Sequence, residues 1–327
     1  MILTRAPLRI SLAGGGSDLP SFYSHDFGEV LSFAIDQYVY IAAHSYFSGG
    51  IRLSYSKTEL VQNHLEIEHP LFRNTMKSLD FHGDIELSSF ADVPGSGTGL
   101  GSSSAFTVAL IHTLLTFNGE RRTAHEIASL ACDIEINRLG HPSGKQDQFV
   151  SINKGLNSFE FLPSGEVRVK EVSASKETIE FLDSNLQLFF TGNSRDSETI
   201  LSDQKNRTIS GDSGIVQGLH EAKEIGLATR DALESGNLDL FASLLSEQWE
   251  IKKRRTSKAS SGEIDDLYRL GMSSGALGGK LIGAGGGGFL LFLSPEKEKI
   301  SRVMAEAKVR ELPFSLYSES CQVLVEK

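Results

Sequence analysis

Cysteine is scarce in this chain: Cys132 and Cys321 are the only two in 327 residues. They show no metal-type spacing, so a disulfide scaffold is not expected and a reducing, cytoplasmic setting is. No run of about 18 apolar residues occurs, which excludes a membrane-spanning helix. The opening MILTRAPLRISLAGGG is apolar but interrupted by Arg5, Pro7 and Arg9, a poor pattern for a secretory signal. Basic residues are outnumbered, 32 Lys and Arg against 42 Asp and Glu, for a net charge of −10. A general nucleic-acid binder would present a basic face, so nucleic acid and membrane drop out as partners. Nine histidines make no His-Glu-x-x-His; His125-Glu126 has no second histidine four residues on. There is also no Gly-Lys-Ser/Thr, and hence no Walker A loop. Small anionic ligands remain open, because a few local cations can hold a phosphate on an acidic protein.

The hydrophobic content, 39%, is enough to fill a substantial core, and the length allows one large domain or two ordinary ones. Residues 8–13, LRISLA, alternate as a short strand does and end in Gly14-Gly15-Gly16. Residues 30–46 and 83–94 also read as strands. Residues 102–117 read as a helix closed by Asn118-Gly119, and 124–139 as a second helix. SFEFLPSGEVRV (158–169) reads as a hairpin. Residues 185–192 read as a strand, followed by helices near 215–235, 238–256 and 263–273. A Gly-rich loop then feeds the apolar strand FLLFL, before a charged helix (296–310) and a last strand, CQVLVE. The mixture predicts an α+β protein with a boundary near 180–186.

The glycines gather in three loops. PGSGTGLGSSSA (94–105) places four glycines, then three serines in a row, at the start of an apolar helix. A helix N-terminus presents free N–H groups and a partial positive charge. Glycines ahead of it let the backbone wrap an anion closely, and the serines can cap the helix or donate hydroxyls to phosphate or Mg²⁺. The segment therefore suits a polyphosphate. GAGGGG (283–288) matches the dinucleotide pattern G-x-G-x-x-G literally, but it precedes a strand rather than opening a helix, so a dehydrogenase is a weak rival. LAGGGSDLP (12–20) follows a strand with the wrong spacing for that fingerprint.

In order and separation, APLRISLAGGGSDLP, PGSGTGLGSSSA and KLIGAGGGGFLLFL resemble the three motifs of the GHMP kinase superfamily, and HPSGKQDQF (141–149) resembles its Gly-x-x-Asp segment. The resemblance spans essentially the whole chain. It implies a two-lobed GHMP kinase fold: a ribosomal-protein-S5-like N-terminal lobe (1–184) that binds ATP, and a ferredoxin-like C-terminal lobe (185–327). It implies Asp147 as base or orienter for the acceptor hydroxyl. Arg9 would supply charge beside Asp147. So would Lys145, which in an extended segment faces the same side two residues away. ATP would be held by Pro94, Gly95, Gly97, Gly99, Leu100, Gly101, Ser102, Ser103 and Ser104. Mg²⁺ would be held by Ser103 and Glu135, with Ser102 or Ser104 taking the serine role in a shifted register.

Galactokinases carry Glu-His where this chain has Gly15-Gly16, so the acceptor space should be larger. The substrate side is expected to comprise Gly15, Gly16, Ser17, Asp18, Arg195, Gly285, Gly286 and Gly287. The pattern is most similar to the branch of D-glycero-D-manno-heptose 7-phosphate kinases and fucose-acting kinase domains. This implies a sugar phosphate as partner, with Lys145 and Arg195 as its cations and the Arg73/Lys77 pair a weaker option. A homodimer is the candidate assembly. Another sugar 1-kinase and a catalytically silent ATP- and sugar-binding sensor stand as rivals. KKRR (252–255) reads as cations at a helix C-terminus, where they are favoured, and Trp249 as a helix-packing residue.

Overall fold

The computed structural model describes residues 1–93, 97–192 and 197–326. Two sheets organise the chain. The first runs β12 (Gln322–Glu326), β1 (Ile2–Ala13), β2 (Gly28–Ser45), β5 (Ile85–Ala91), β3 (Ile51–Ser54) and β4 (Thr58–Val61). Off this path, β6 (Leu156–Phe161) pairs with β2, and β7 (Val167–Glu171) pairs with β6 as the expected hairpin. Only β3 and β5 run parallel. The second sheet is antiparallel, ordered β11 (Arg310–Leu312), β8 (Leu186–Phe190), β10 (Phe289–Leu293) and β9 (Gly278–Leu281).

β1 is twice as long as the alternation of 8–13 suggests and contains Pro7. β12 covers β1 only from Ile2 to Arg5, so Pro7 lies beyond the strand that would have needed its N–H. The β1–β2 register shifts at Pro7/Leu8. Because β12 returns to the first sheet, the last strand does not belong with the second one, and a cut at 184/185 misassigns it. Strand pairing between residues 320 positions apart leaves no local trace in sequence.

The 102–117 helix is buried nearly all round and packs on β1 and β2. Its lack of a polar stripe follows from that central position. The 124–139 segment starts in a capping box between Thr123 and Glu126, runs as an α-helix to Cys132, and widens into a π turn over Asp133–Arg138. Among the described residues, helices not anticipated are Pro20–Tyr23, Gln146–Ile152, Lys176–Asn185 and Ser197–Ile209. The second matters most for function. The segment around Asp147 is helical, with Lys145 as its N-cap residue and Phe149 and Val150 in the core.

Candidate active site

The second glycine loop ends in Gly101, the N-cap residue of the 102–117 helix, at φ +78°. Among the described residues no side-chain cap bond is made at this helix start, so Ser102, Ser103 and Ser104 do not perform the capping that the sequence suggested. Gly101 is required twice over. Its φ is left-handed, and a Cβ there would lie 3.2 Å from Arg9 Cγ and 3.3 Å from Asp147 Oδ2. Gly97, Gly99, Gly101, Ser102 and Ser103 line a cleft between the sheets. Leu100 does not; it is fully buried, and its carbonyl accepts from the Arg9 N–H. Pro94 and Gly95 lie outside the described residues.

Across the cleft Arg9, on β1, grips Asp147. Nε and Nη2 donate to Oδ1 and Oδ2, both at 2.8 Å, and Nη1 donates to the Gly99 carbonyl. The Arg9 side chain is 6% exposed and that of Asp147 27%. Gln146 Nε2 also donates to Asp147 Oδ1, at 2.8 Å, so Oδ2 is the less occupied oxygen. A planar guanidinium bound in this two-pronged way fixes the orientation of the carboxylate.

Lys145 does not join this pair. Because the segment is a helix start rather than a strand, its side chain turns away. Nζ donates to the Gly165 carbonyl at 2.7 Å and lies 5.2 Å from the Tyr23 ring centre, off the cleft. The expected pairing of Lys145 with Asp147 is not formed.

Asp18 sits beside Asp147 at the acceptor side of the cleft. Its carboxylate accepts from the N–H groups of Gly16 at 3.0 Å and Gln146 at 3.2 Å. Burial, and then the Asp147 charge, push its pKa up despite these bonds. Gly144 makes the contact possible: a Cβ there would lie 1.9 Å from Asp18 Oδ2. Gly15 and Gly16 line the cleft, but Ser17 does not. Ser17 is fully buried and knits its own loop, donating to the carbonyls of Gly14 and Glu29 and accepting from the Glu29 N–H. The space expected at Gly16 is not open either. A Cβ there would meet Arg255 Nη1 and Gln204 Nε2, each at 2.9 Å.

Glu135 is buried on the π turn rather than exposed on a helix face. Ser104, not Ser103, donates to its Oε2, at 3.0 Å, while Oε1 has no partner. Burial raises its pKa to about 7, against the hydroxyl and amide groups of Ser104, Thr107 and Gln148. Ser103 is exposed and lines the cleft, so Ser103 and Glu135 lie on different faces of the helix start. No cluster of three or more His, Cys, Asp or Glu residues among the described residues could hold a metal by itself. A hard cation here would need phosphate oxygens to complete its shell. A buried carboxylate with a spare oxygen beside a helix N-terminus fits such a partly protein-held ion.

The third loop closes the cleft from the second sheet. Gly285 and Gly287 line it, whereas the Gly286 N–H is spent on the Ala259 carbonyl at 2.7 Å. This loop and the second meet backbone to backbone: a Cβ on Gly283 would lie 2.6 Å from Gly99 Cα. Arg195 lies outside the described residues.

Besides Arg9, three cations to which the sequence assigned no site role line the cleft. Lys252 and Arg255 belong to KKRR, on the Leu238–Arg255 helix, and Lys280 to β9. Lys280 Nζ donates to the carbonyls of Ser11 (3.0 Å) and Leu12 (2.9 Å) and to Gln248 Oε1. Lys252 Nζ donates to the carbonyls of Leu281 (3.0 Å) and Gly283 (2.7 Å). These acceptors are neutral, so burial dominates. Lys252 is brought down to about 7, Arg255 to about 10, and Lys280 well below the ordinary lysine value. Two signals were available: residues 252 and 255 are three apart on a helix and share a face with Trp249, and Lys280 is a lone charge in a fully buried strand. Unpaired buried cations facing an uncapped helix start make a site for a polyanion.

The fold and this site define a phosphotransferase of a known class. Residues 70–155 match the GHMP kinase N-terminal domain, and residues 229–310 match the GHMP kinase C-terminal domain. The chain belongs to the GHMP kinases, which transfer phosphate to an alcohol group. Among its relatives, D-glycero-alpha-D-manno-heptose 7-phosphate kinase of Campylobacter jejuni is 29% identical over 323 residues, covering 94% of this chain and 93% of that protein. The bifunctional fucokinase/GDP-fucose pyrophosphorylase of Arabidopsis thaliana is 27% identical over 90% of this chain, which spans 30% of that longer protein. The crystal structure of a D-glycero-D-manno-heptose 1-phosphate kinase from Bacteroides thetaiotaomicron superposes with a TM-score of 0.81 at 24% identity, covering all of both chains. No helix among the described residues is long and apolar enough to cross a membrane.

Proposed function

We propose that this chain is a sugar kinase that phosphorylates the anomeric hydroxyl of D-glycero-D-manno-heptose 7-phosphate with Mg-ATP, giving the 1,7-bisphosphate for nucleotide-activated heptose and surface glycans. The observation that carries the chemistry is the Arg9–Asp147 pair set against the uncapped start of the 102–117 helix. The substrate rests on the Campylobacter relative, which aligns along almost its full length.

Bound Mg-ATP supplies the phosphoryl group and part of the charge neutralisation its transfer needs. Gly97 to Ser103 and the helix N–H groups cradle its phosphates, and Lys252, on the Leu238–Arg255 helix, and Lys280, on β9, supply positive charge. Glu135 and the serines at the helix start would hold the metal. Asp147 orients the acceptor hydroxyl through its less occupied Oδ2 and receives its proton there, while Arg9 holds the carboxylate in place. Asp18 receives sugar hydroxyls on the same side. The glycine loops meeting at Gly99 and Gly283 exclude water from the transfer.

The test is ADP release with Mg-ATP against heptose 7-phosphate, heptose, mannose, fucose and galactose. Turnover on heptose 7-phosphate alone supports the assignment. Turnover on fucose or another plain sugar keeps the kinase and discards the heptose phosphate. ATP binding without turnover on any sugar would favour the silent sensor.

A further inference from the structure

With Lys145 turned away, an acceptor phosphate needs other cations, and the cleft offers an unusual one. Arg255 is 5% exposed, yet among the described residues its Nε has no partner, and Nη1 and Nη2 share one neutral carbonyl, that of Gly15, at 3.4 Å each. A guanidinium carries five donors, so most of its capacity is unused. Gln204, on the Ser197–Ile209 helix, is 8% exposed, and its Nε2 also lacks a partner among the described residues. The two donors converge. The methyl that Gly16 lacks would lie 2.9 Å from Arg255 Nη1 and 2.9 Å from Gln204 Nε2, so both flank one point beside the first glycine loop.

The arginine shaft is held on purpose-shaped ground. It crosses Gly218, where a Cβ would come within 2.5 Å of Arg255 Cγ. Its head is therefore placed by packing, independently of any counter-charge. Asp18 lies between neighbours of Asp147 and Arg255: its carboxylate accepts from the N–H of Gln146, next to Asp147, and from that of Gly16, next to the Gly15 carbonyl bound by Arg255. Asp147, Asp18 and Arg255 all line the cleft.

We propose that Arg255 and Gln204 form the subsite for the phosphate of a sugar-phosphate acceptor, binding it at the end of the cleft opposite the hydroxyl held by Asp147. The assignment rests on the sugar kinase reading above. It adds that the acceptor is anionic, and that its phosphate and reacting hydroxyl lie at opposite ends of the molecule. The fork of Arg255 matches phosphate oxygens, and Gln204 adds a neutral donor at the same point. The nucleotide phosphates have their own cations, Lys252 and Lys280, which are tied to the third loop and to β1.

The experiment compares kcat/KM for heptose 7-phosphate and for unphosphorylated heptose in wild type, Arg255→Gln, Arg255→Lys and Gln204→Ala. The expected result is a wild-type preference for the phosphorylated sugar that falls about a hundredfold in Arg255→Gln. It should be partly restored in Arg255→Lys and fall about tenfold in Gln204→Ala. The Gln204 variant keeps the test alive should Arg255→Gln fail to fold. Equal losses on both sugars, or a rise in the KM for ATP in place of that for the sugar phosphate, would overturn the subsite while leaving the kinase standing. A wild-type enzyme that prefers unphosphorylated heptose would overturn the heptose 7-phosphate reading and the subsite together.

Discussion

Gly144→Ala isolates the acceptor half of the site, because the added methyl has one place to go. It would lie 1.9 Å from Asp18 Oδ2, 2.3 Å from Asp18 Cγ and 2.7 Å from the Asp18 carbonyl oxygen. No unstrained contact is that short, so Asp18 must move by more than about 1 Å, given carbon–oxygen contacts of roughly 3.3 Å. Moving it breaks the bonds its carboxylate accepts from Gly16 and Gln146. Overpacking of this kind costs about 1–3 kcal/mol, and each lost bond to an ionised carboxylate about 1.5–3. Relaxation and water recover part of this, and a net loss of roughly 2–4 kcal/mol in urea unfolding is expected. Steady-state kinetics should show kcat/KM for the sugar down by about 10²–10³, with the KM for ATP changed less than about threefold, since misplacing one positioning group by about 1 Å carries that order of penalty. Wild-type stability together with a wild-type sugar KM would refute the placement of Asp18. An ATP KM raised as much as the sugar KM would refute its assignment to the acceptor.

Asp147→Asn keeps the shape but loses the base, and should lower kcat by about 10²–10⁴ in the ADP-release assay, with nucleotide binding retained. Gly101→Ala forces a Cβ into a left-handed residue between Arg9 and Asp147. It should cost about 1–2 kcal/mol of stability, read by urea unfolding, and raise the KM for ATP. Lys252 has a folded pKa of about 7 against an ordinary 10.5. Between those values the unfolded chain binds more protons, so its contribution makes stability rise from about pH 7 towards pH 10.5. The phosphates of a bound nucleotide favour the charged amine. At pH 8, titration calorimetry in buffers of different ionisation enthalpy should show net uptake of up to about one proton on nucleotide binding, an uptake lost in Lys252→Met.

Part of the site was legible because its causes are local. A loop that must hold left-handed residues next to a helix start calls for glycine, and Gly97, Gly99 and Gly101 all have positive φ. The helix from Ser102 to Phe117 and its stop at Asn118-Gly119 follow from apolar content and turn residues. The place of Asp147 came from motif spacing, which marks a position without saying where its neighbours point. Lys145, two residues away, was misread because a short helix and an extended segment send its side chain in different directions. Only the packing of Phe149 and Val150 decides between them.

The sequence by itself determined the glycine loops, the central helix and the hairpin of β6 and β7, all of which depend on neighbours in the chain. The tertiary structure decided which charges matter. Whether Lys252, Lys280 and Arg255 are solvated or face a cleft depends on desolvation by residues hundreds of positions away, including β1 for Lys280 and Gly15 for Arg255. The pairing of β12 with β1 and of Arg9 with Asp147 was settled in the same way. Hydrogen bonds and burial act through space, and a local pattern carries the residue types they need but not the distances that put them to use.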